Sequence, residues 1–192
     1  MSTKTQSIQP QTRMTAIQRR KAVEVARDVL LQLRLERLTT TGGYLRVQQN
    51  SQDFNPPEEV YNGSFKTAFQ QDKSIVCGVC AIGAAYIGYI NRFNRVKTCD
   101  VLSASDDDMI LTMKNVFSED QLRLMEGFFE NGFVQTPSWY YDLDSGSAYK
   151  VSNLISDFCN RYPERTQRLR AIMLNVIRND GEFRIPLRMR TH

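Results

Sequence analysis

The sequence predicts a mostly helical α+β protein: a single domain with a buried central helix and a small sheet. Three observations carry this. The stretch Ser74 to Ile90, SIVCGVCAIGAAYIGYI, holds no charged residue, and a helix that is apolar all round is buried on all sides. Amphipathic periods flank it, with Ala22, Ala26, Val29, Leu30 and Leu33 on one side and Leu169, Ile172, Met173, Val176 and Ile177 on the other; that spacing is helical. Strand-like stretches are few and short, Tyr44 to Gln48 and Ser74 to Val76. In the central run, Cys80, Ala84 and Gly88 stand four apart. This stacks small residues on one face and lets another backbone come close.

In chain order, residues 1–13 are polar and Ser/Thr/Gln-rich and read as a disordered tail, leaving 14–192 as the globular domain. A helix is expected over Thr15 to Leu38, stopped by Gly42-Gly43. Gln49 to Lys73 reads as irregular, with turn signals at Asn55-Pro56-Pro57 and Asn62-Gly63. Thr98 to Asp108 reads as a turn-rich acidic connection, with Ser105 capping a short helix from Asp106 to Asn115. Ser118 and Gln121 have the spacing of a capping box, with Phe117 and Leu122 as a hydrophobic staple. Asn131-Gly132 stops that helix. Phe133 to Lys150 reads as a strand pair or a ligand-facing loop, followed by a helix over Val151 to Asn160. Pro163 opens the last helix, and Phe183, Ile185 and Pro186 form an apolar tail that folds back on the core.

The chain has 192 residues, 41% hydrophobic and 24% charged, ordinary for a globular protein. The N-terminus shows no apolar h-region, so no signal peptide is expected. The central run falls short of the ~18 uncharged residues that signal a membrane span. Four cysteines in no regular framework suggest reduced thiols and a cytoplasmic protein. The net charge of +4 is unevenly spread: residues 1–46 carry nine Lys/Arg against three Asp/Glu, residues 47–160 eight against fifteen, and residues 161–192 eight arginines against three acids. Basic ends around an acidic middle fit nucleic-acid binding, packing of the ends on the middle, or solvated Arg-rich helix faces.

The only histidine is His192, which argues against a Cys–His nucleophile or a histidine base. Cys77 and Cys80 make one close pair, but Cys99 and Cys159 make no second knuckle, so no zinc site is expected. Cys77-Gly78-Val79-Cys80 looks like a thioredoxin-type motif, and a helix N-terminus stabilises a thiolate. The βαβ lead-in of that fold is missing, and packing of both thiols in the core is the favoured reading. On that reading Cys80→Ser is expected to cost about 1–3 kcal/mol, more than Cys80→Ala. Glu126 and Glu130 lie four apart but lack an opposing ligand set. Asp142 begins a calcium-like loop whose last glutamate is replaced by Asn153. No metal, cofactor or complete catalytic constellation is expected.

Three pieces carry a family likeness. They are Val79-Cys80-Ala81-Ile82-Gly83-Ala84; Gln121-Leu122 through Met125-Glu126 to Phe129-Glu130; and Pro163-Glu164-Arg165 with Arg168-Leu169, Ile172-Met173, Asn175, Asn179, Gly181, Phe183 and Pro186. From Asn62 to Pro186 the chain resembles an uncharacterised family of small bacterial and phage proteins with a V-C-A-x-G-A core and an N-x-G-x-F tail. That resemblance implies no established activity. It matches Cys80 to the motif's own cysteine, and for a phage protein it places the chain in the host cytoplasm.

The leading functional expectation is a non-catalytic binding or regulatory protein acting through protein contacts, with Trp139, Tyr140 and Tyr141 as the binding segment. The alternatives are a nucleic-acid-binding protein, with Arg19, Arg20, Arg165 and Arg168 as phosphate contacts, and a thiol-redox protein using Cys77 and Cys80.

Overall fold

In the computed structural model, residues 14–41, 43, 45–93, 96–133 and 136–186 are described, without the side chains of Ser138 and Trp139. The expected tail at 1–13 lies outside the described residues. Helix α1 (Ala16–Arg34) opens on a capping box in which the Thr15 hydroxyl accepts from Gln18 N–H and the Gln18 side chain accepts from Thr15 N–H. It ends four residues before the predicted Leu38. Glu36 takes a left-handed conformation, φ 58°, and the chain enters β1 (Leu38–Thr40). Parallel pairing of Leu38 with Cys77 outweighs the helical preference of the preceding run.

Strands β2 (Leu45–Gln49) and β3 (Gln52–Asp53) form a hairpin. Asn50 and Ser51, both at positive φ (50° and 65°), make its two-residue turn, the geometry that matches strand twist. Strand β4 (Ile75–Val79) completes a sheet of order β1-β4-β2-β3, parallel to β1 and antiparallel to β2. The sheet is therefore twice the predicted two strands, and β4 runs on to Val79. Cys77 thus sits in the central strand, between Leu38 and Val47.

The predicted irregular segment contains two further helices, α2 (Glu58–Tyr61) and α3 (Phe65–Gln71). Phe65 and Phe69, four apart, stack with ring centroids 5.6 Å apart and are both buried. The Arg37 guanidinium lies 3.7 Å from the Phe69 ring and donates to the carbonyls of Asp72 and Ile75.

The central helix α4 (Ala81–Phe93) is buried continuously from Ala81 to Gly88. Gly88 lets α1 approach: a Cβ there would stand 3.0 Å from Val29 Cγ2 and 3.1 Å from the Val25 carbonyl oxygen. A polar network runs across the same interface. Asn91 Nδ2 donates to both Asp28 carboxylate oxygens, at 2.9 and 2.8 Å, and Gln70 Nε2 donates to Asn91 Oδ1.

The acidic connection folds as α5 (Thr98–Leu102) before α6 (Asp106–Met113) begins. Ser105 and Asp108 form a full capping box there, and three aspartates face the helix N-terminus, where the dipole favours them. In α7 (Glu119–Glu130), Ser118 caps Gln121 N–H as predicted. The returning half of the box is absent, because Gln121 Oε1 instead accepts Phe183 N–H at 2.8 Å. Phe133 to Lys150 forms no strand pair among the described residues. A 3₁₀ turn spans Ser138–Asp142, and Asp144 caps Ser147 N–H to start α8 (Ser145–Arg161), six residues before the predicted start.

The last helix is α9 (Arg165–Arg178), with Glu164 as its N-cap and Pro163 just outside. α9 packs beside α1 and α7. Beyond it, Gly181 at φ 93° meets α1 so closely that a Cβ would stand 2.5 Å from the Arg19 carbonyl oxygen. Asn175 then holds the tail by both amide atoms, Nδ2 donating to the Arg184 carbonyl and Oδ1 accepting Arg184 N–H, each 2.8 Å. These clips place Phe183 and Ile185 in the core and bring Pro186 alongside α9. No helix among the described residues is long and apolar enough to cross a membrane.

Candidate functional site

The buried stripe of α9 consists of Leu169, Ile172, Met173 and Val176. On its far side, Gln167, Arg170, Ala171, Leu174 and Arg178 recur at three- and four-residue steps and face α8. Together with Phe158, Arg161 and Tyr162 at the end of α8, and with Pro186 of the tail, they line a cleft of about 550 Å³. That volume lies within the range of about 300–1,000 Å³ typical of ligand clefts. The lining residues include three guanidiniums and no carboxylate. Among the described residues, Arg161, Arg170 and Arg178 make no ion pair and no side-chain hydrogen bond; the Arg161 guanidinium lies 5.9 Å from the Tyr162 ring. Tyr162 is propped by buried Phe158, at 4.9 Å between centroids.

Two other clefts are electrostatically self-balanced. In a cleft of about 400 Å³ between α6 and the start of α7, Lys114 is joined by Asp107 and Glu119. In another of about 310 Å³ beside α1, Arg92 pairs with Glu24. The α8–α9 groove alone among these three presents cations without acids.

The four arginines singled out from the sequence lie elsewhere. Arg19 pairs with Glu182 at 3.0 Å and with Asp180 at 3.7 Å. Arg20 is exposed and reaches Glu24 at 3.5 Å. Arg165 pairs with Glu130 at 3.1 Å, and Arg168 lies over the Phe129 ring at 6.0 Å. The reason is helical phase. Arg165 and Arg168 each stand four residues before a buried position, Leu169 and Ile172, so they flank the stripe that packs on α7. Of the groove arginines, Arg170 and Arg178 stand off that stripe, which was visible in the spacing.

Of the expected aromatic segment, the side chains of Tyr140 and Tyr141 are described. Tyr140 is half-buried against Phe133, with its hydroxyl donating to the Ala148 carbonyl. Tyr141 is 76% exposed. Trp139 lies on the 3₁₀ turn.

Both thiols of the C-x-x-C stretch are free and buried. Burial pushes the Cys77 thiol up to about 12, with Arg37 opposing. Cys80 stands just before α4, and its Sγ accepts Gly83 N–H at 3.4 Å. Burial nevertheless pushes it up to about 12, and the nearby Glu126 and Asp106 carboxylates add to the rise. A low-pKa, accessible thiol needs the opposite surroundings. The capping role also reverses the expected order of substitutions at Cys80. Serine keeps an acceptor for Gly83 N–H, so Cys80→Ala is expected to be the less stable variant, by about 1 kcal/mol, in paired denaturant titrations. With a thiol reagent at neutral pH, partly exposed Cys99 is expected to label in the native protein, while Cys77, Cys80 and Cys159 label only on unfolding.

A second polar centre lies behind Cys80. Arg123, 2% exposed, faces Glu126 and Asp107 at 3.4 Å, Asp106 at 3.6 Å and Glu119 at 3.7 Å. Burial pushes Glu126 up to about 7, with Arg123 opposing and Asp106 adding to the rise. Among the described residues no cluster of His, Cys, Asp and Glu has the arrangement of a metal site. No protein-family model, curated protein or solved structure matches this chain.

Proposed function

We propose that this is a non-catalytic binding protein that takes a phosphate-bearing polyanion, a nucleic acid, in the α8–α9 groove. The observation that carries this reading is the set of three guanidiniums, Arg161, Arg170 and Arg178, that line one cleft without acids and make no ion pair or side-chain hydrogen bond among the described residues. Guanidinium forks match phosphate geometry, and neutralised phosphates release counterions, so binding weakens as salt rises.

The test is fluorescence anisotropy of a labelled oligonucleotide across a salt series. Binding is expected near ~50 mM salt, where such contacts are strong, with a log–log salt slope of about −2 for three contacts to a single strand. Arg170→Ala and Arg178→Ala are each expected to make the slope less steep by just under one. Arg20→Ala and Arg165→Ala are expected to leave it unchanged. Absence of binding at low salt, or equal losses for all four variants, contradicts the groove.

A protein partner is the second reading. It is favoured by the exposure of Tyr141 and Tyr149, 76% and 68%, since tyrosine is enriched at protein interfaces.

A further inference from the structure

We infer that the groove takes a single strand, with an unpaired base laid on Tyr162; this rests on the polyanion reading above and names its ligand. The cleft is concave, between the end of α8 and the outer face of α9, and its wall combines Tyr162 with Ala171 and Leu174. A concave wall with an aromatic face suits an unstacked base, whose plane can lie on the ring. In a duplex the bases are stacked inside and the phosphates lie on a convex surface.

The cations are placed for a strand that passes through. Arg170 and Arg178 are eight residues apart on α9, about 12 Å along the helix axis. Arg161 stands across from them at the end of α8. The backbone can thus be held at several points while a base turns inward between them. Buried Phe158 holds the Tyr162 ring in place, so the platform is set before ligand arrives. Gln167 also lines the cleft and makes no side-chain hydrogen bond among the described residues, which leaves its amide for a base edge.

The experiment compares three labelled ligands of equal length at ~50 mM salt: oligothymidylate, the corresponding abasic phosphodiester strand, and a duplex. Oligothymidylate is expected to bind about tenfold tighter than the abasic strand, the scale of one aromatic stack, and tighter than the duplex. Tyr162→Leu is expected to narrow the first gap, whereas Arg170→Ala weakens all three ligands alike. Equal affinity for the base-bearing and abasic strands, or tighter binding of the duplex, overturns the single-strand inference and leaves the polyanion reading standing. Failure of all three to bind overturns both. The comparison of ligands on the unaltered protein decides the matter even if Tyr162→Leu does not fold.

Discussion

Arg123→Ala is expected to cost about 3–5 kcal/mol of stability, measured by urea unfolding at pH 8. Arg123 lies within 3.7 Å of the carboxylates of Asp106, Asp107, Glu119 and Glu126, and it is 2% exposed. Removing one partner of a buried ion cluster leaves charge in a poorly solvated place, which costs more than the pair itself contributes. The sign of the pH effect follows from Glu126, whose carboxyl rises from an ordinary 4.5 to about 7, chiefly through burial. Between those values the native protein keeps a proton that the unfolded chain releases. Stability contributed by this group therefore falls as pH rises from about 4.5 to about 7 and is level above. Without Arg123 the carboxyl is held higher still. The variant's deficit is thus expected to be smaller near pH 5, where Glu126 is neutral and only the pairing with Asp106, Asp107 and Glu119 is lost, and full near pH 8. An equal deficit at both pH values would show that the Glu126 charge does not contribute to the cost.

Phe128→Ala is expected to cost about 3–5 kcal/mol, as large-to-small changes at fully buried aromatics do. Phe128 joins three parts of the chain. It lies edge-on to Phe158 of α8 and to Phe183 of the tail, each at 5.2 Å between centroids, and its carbonyl accepts the Cys159 thiol at 3.4 Å. The cavity left by alanine opens beneath Phe158, which holds the Tyr162 ring. Phe128→Leu fills most of that space, so a loss below about 1.5 kcal/mol is expected for it. A thermal unfolding midpoint in Phe128→Ala close to that of the unaltered protein would contradict this account of the α7–α8 junction.

The main helices and the buried centre were legible because their signals are repetitive and local: the uncharged run of α4, the apolar stripes of α1 and α9, and the Ser105 and Ser118 caps. What escaped depends on distant partners. β1 is three residues long and exists through its pairing with β4. The Gln121 side chain turns from its own helix end to Phe183, 62 residues away. The start of α8 was locally visible, since Asp144 stands three before Ser147, but the nearby turn residues suggested a loop instead. At the groove, the spacing of α9 already separated Arg170 and Arg178 from the buried stripe. Counting arginines without their helical phase favoured Arg165 and Arg168, which the fold uses at its own α7–α9 contact. The contribution of Arg161 and Tyr162 needed the placement of the end of α8 across the cleft from α9. The tail motif also has a physical account: Asn175 and Asn179 bond one another, Gly181 permits the approach to Arg19, and Phe183 anchors in the core.

The most direct test of the groove as the ligand site is amide chemical-shift mapping of isotope-labelled protein during titration with a short single-stranded oligonucleotide. The account predicts shifts concentrated at Phe158 to Tyr162 and at Gln167 to Arg178, saturating at one ligand per chain. Shifts centred on Arg20 and α1, or on Tyr141 and Tyr149, with the α8–α9 amides unmoved, would contradict it.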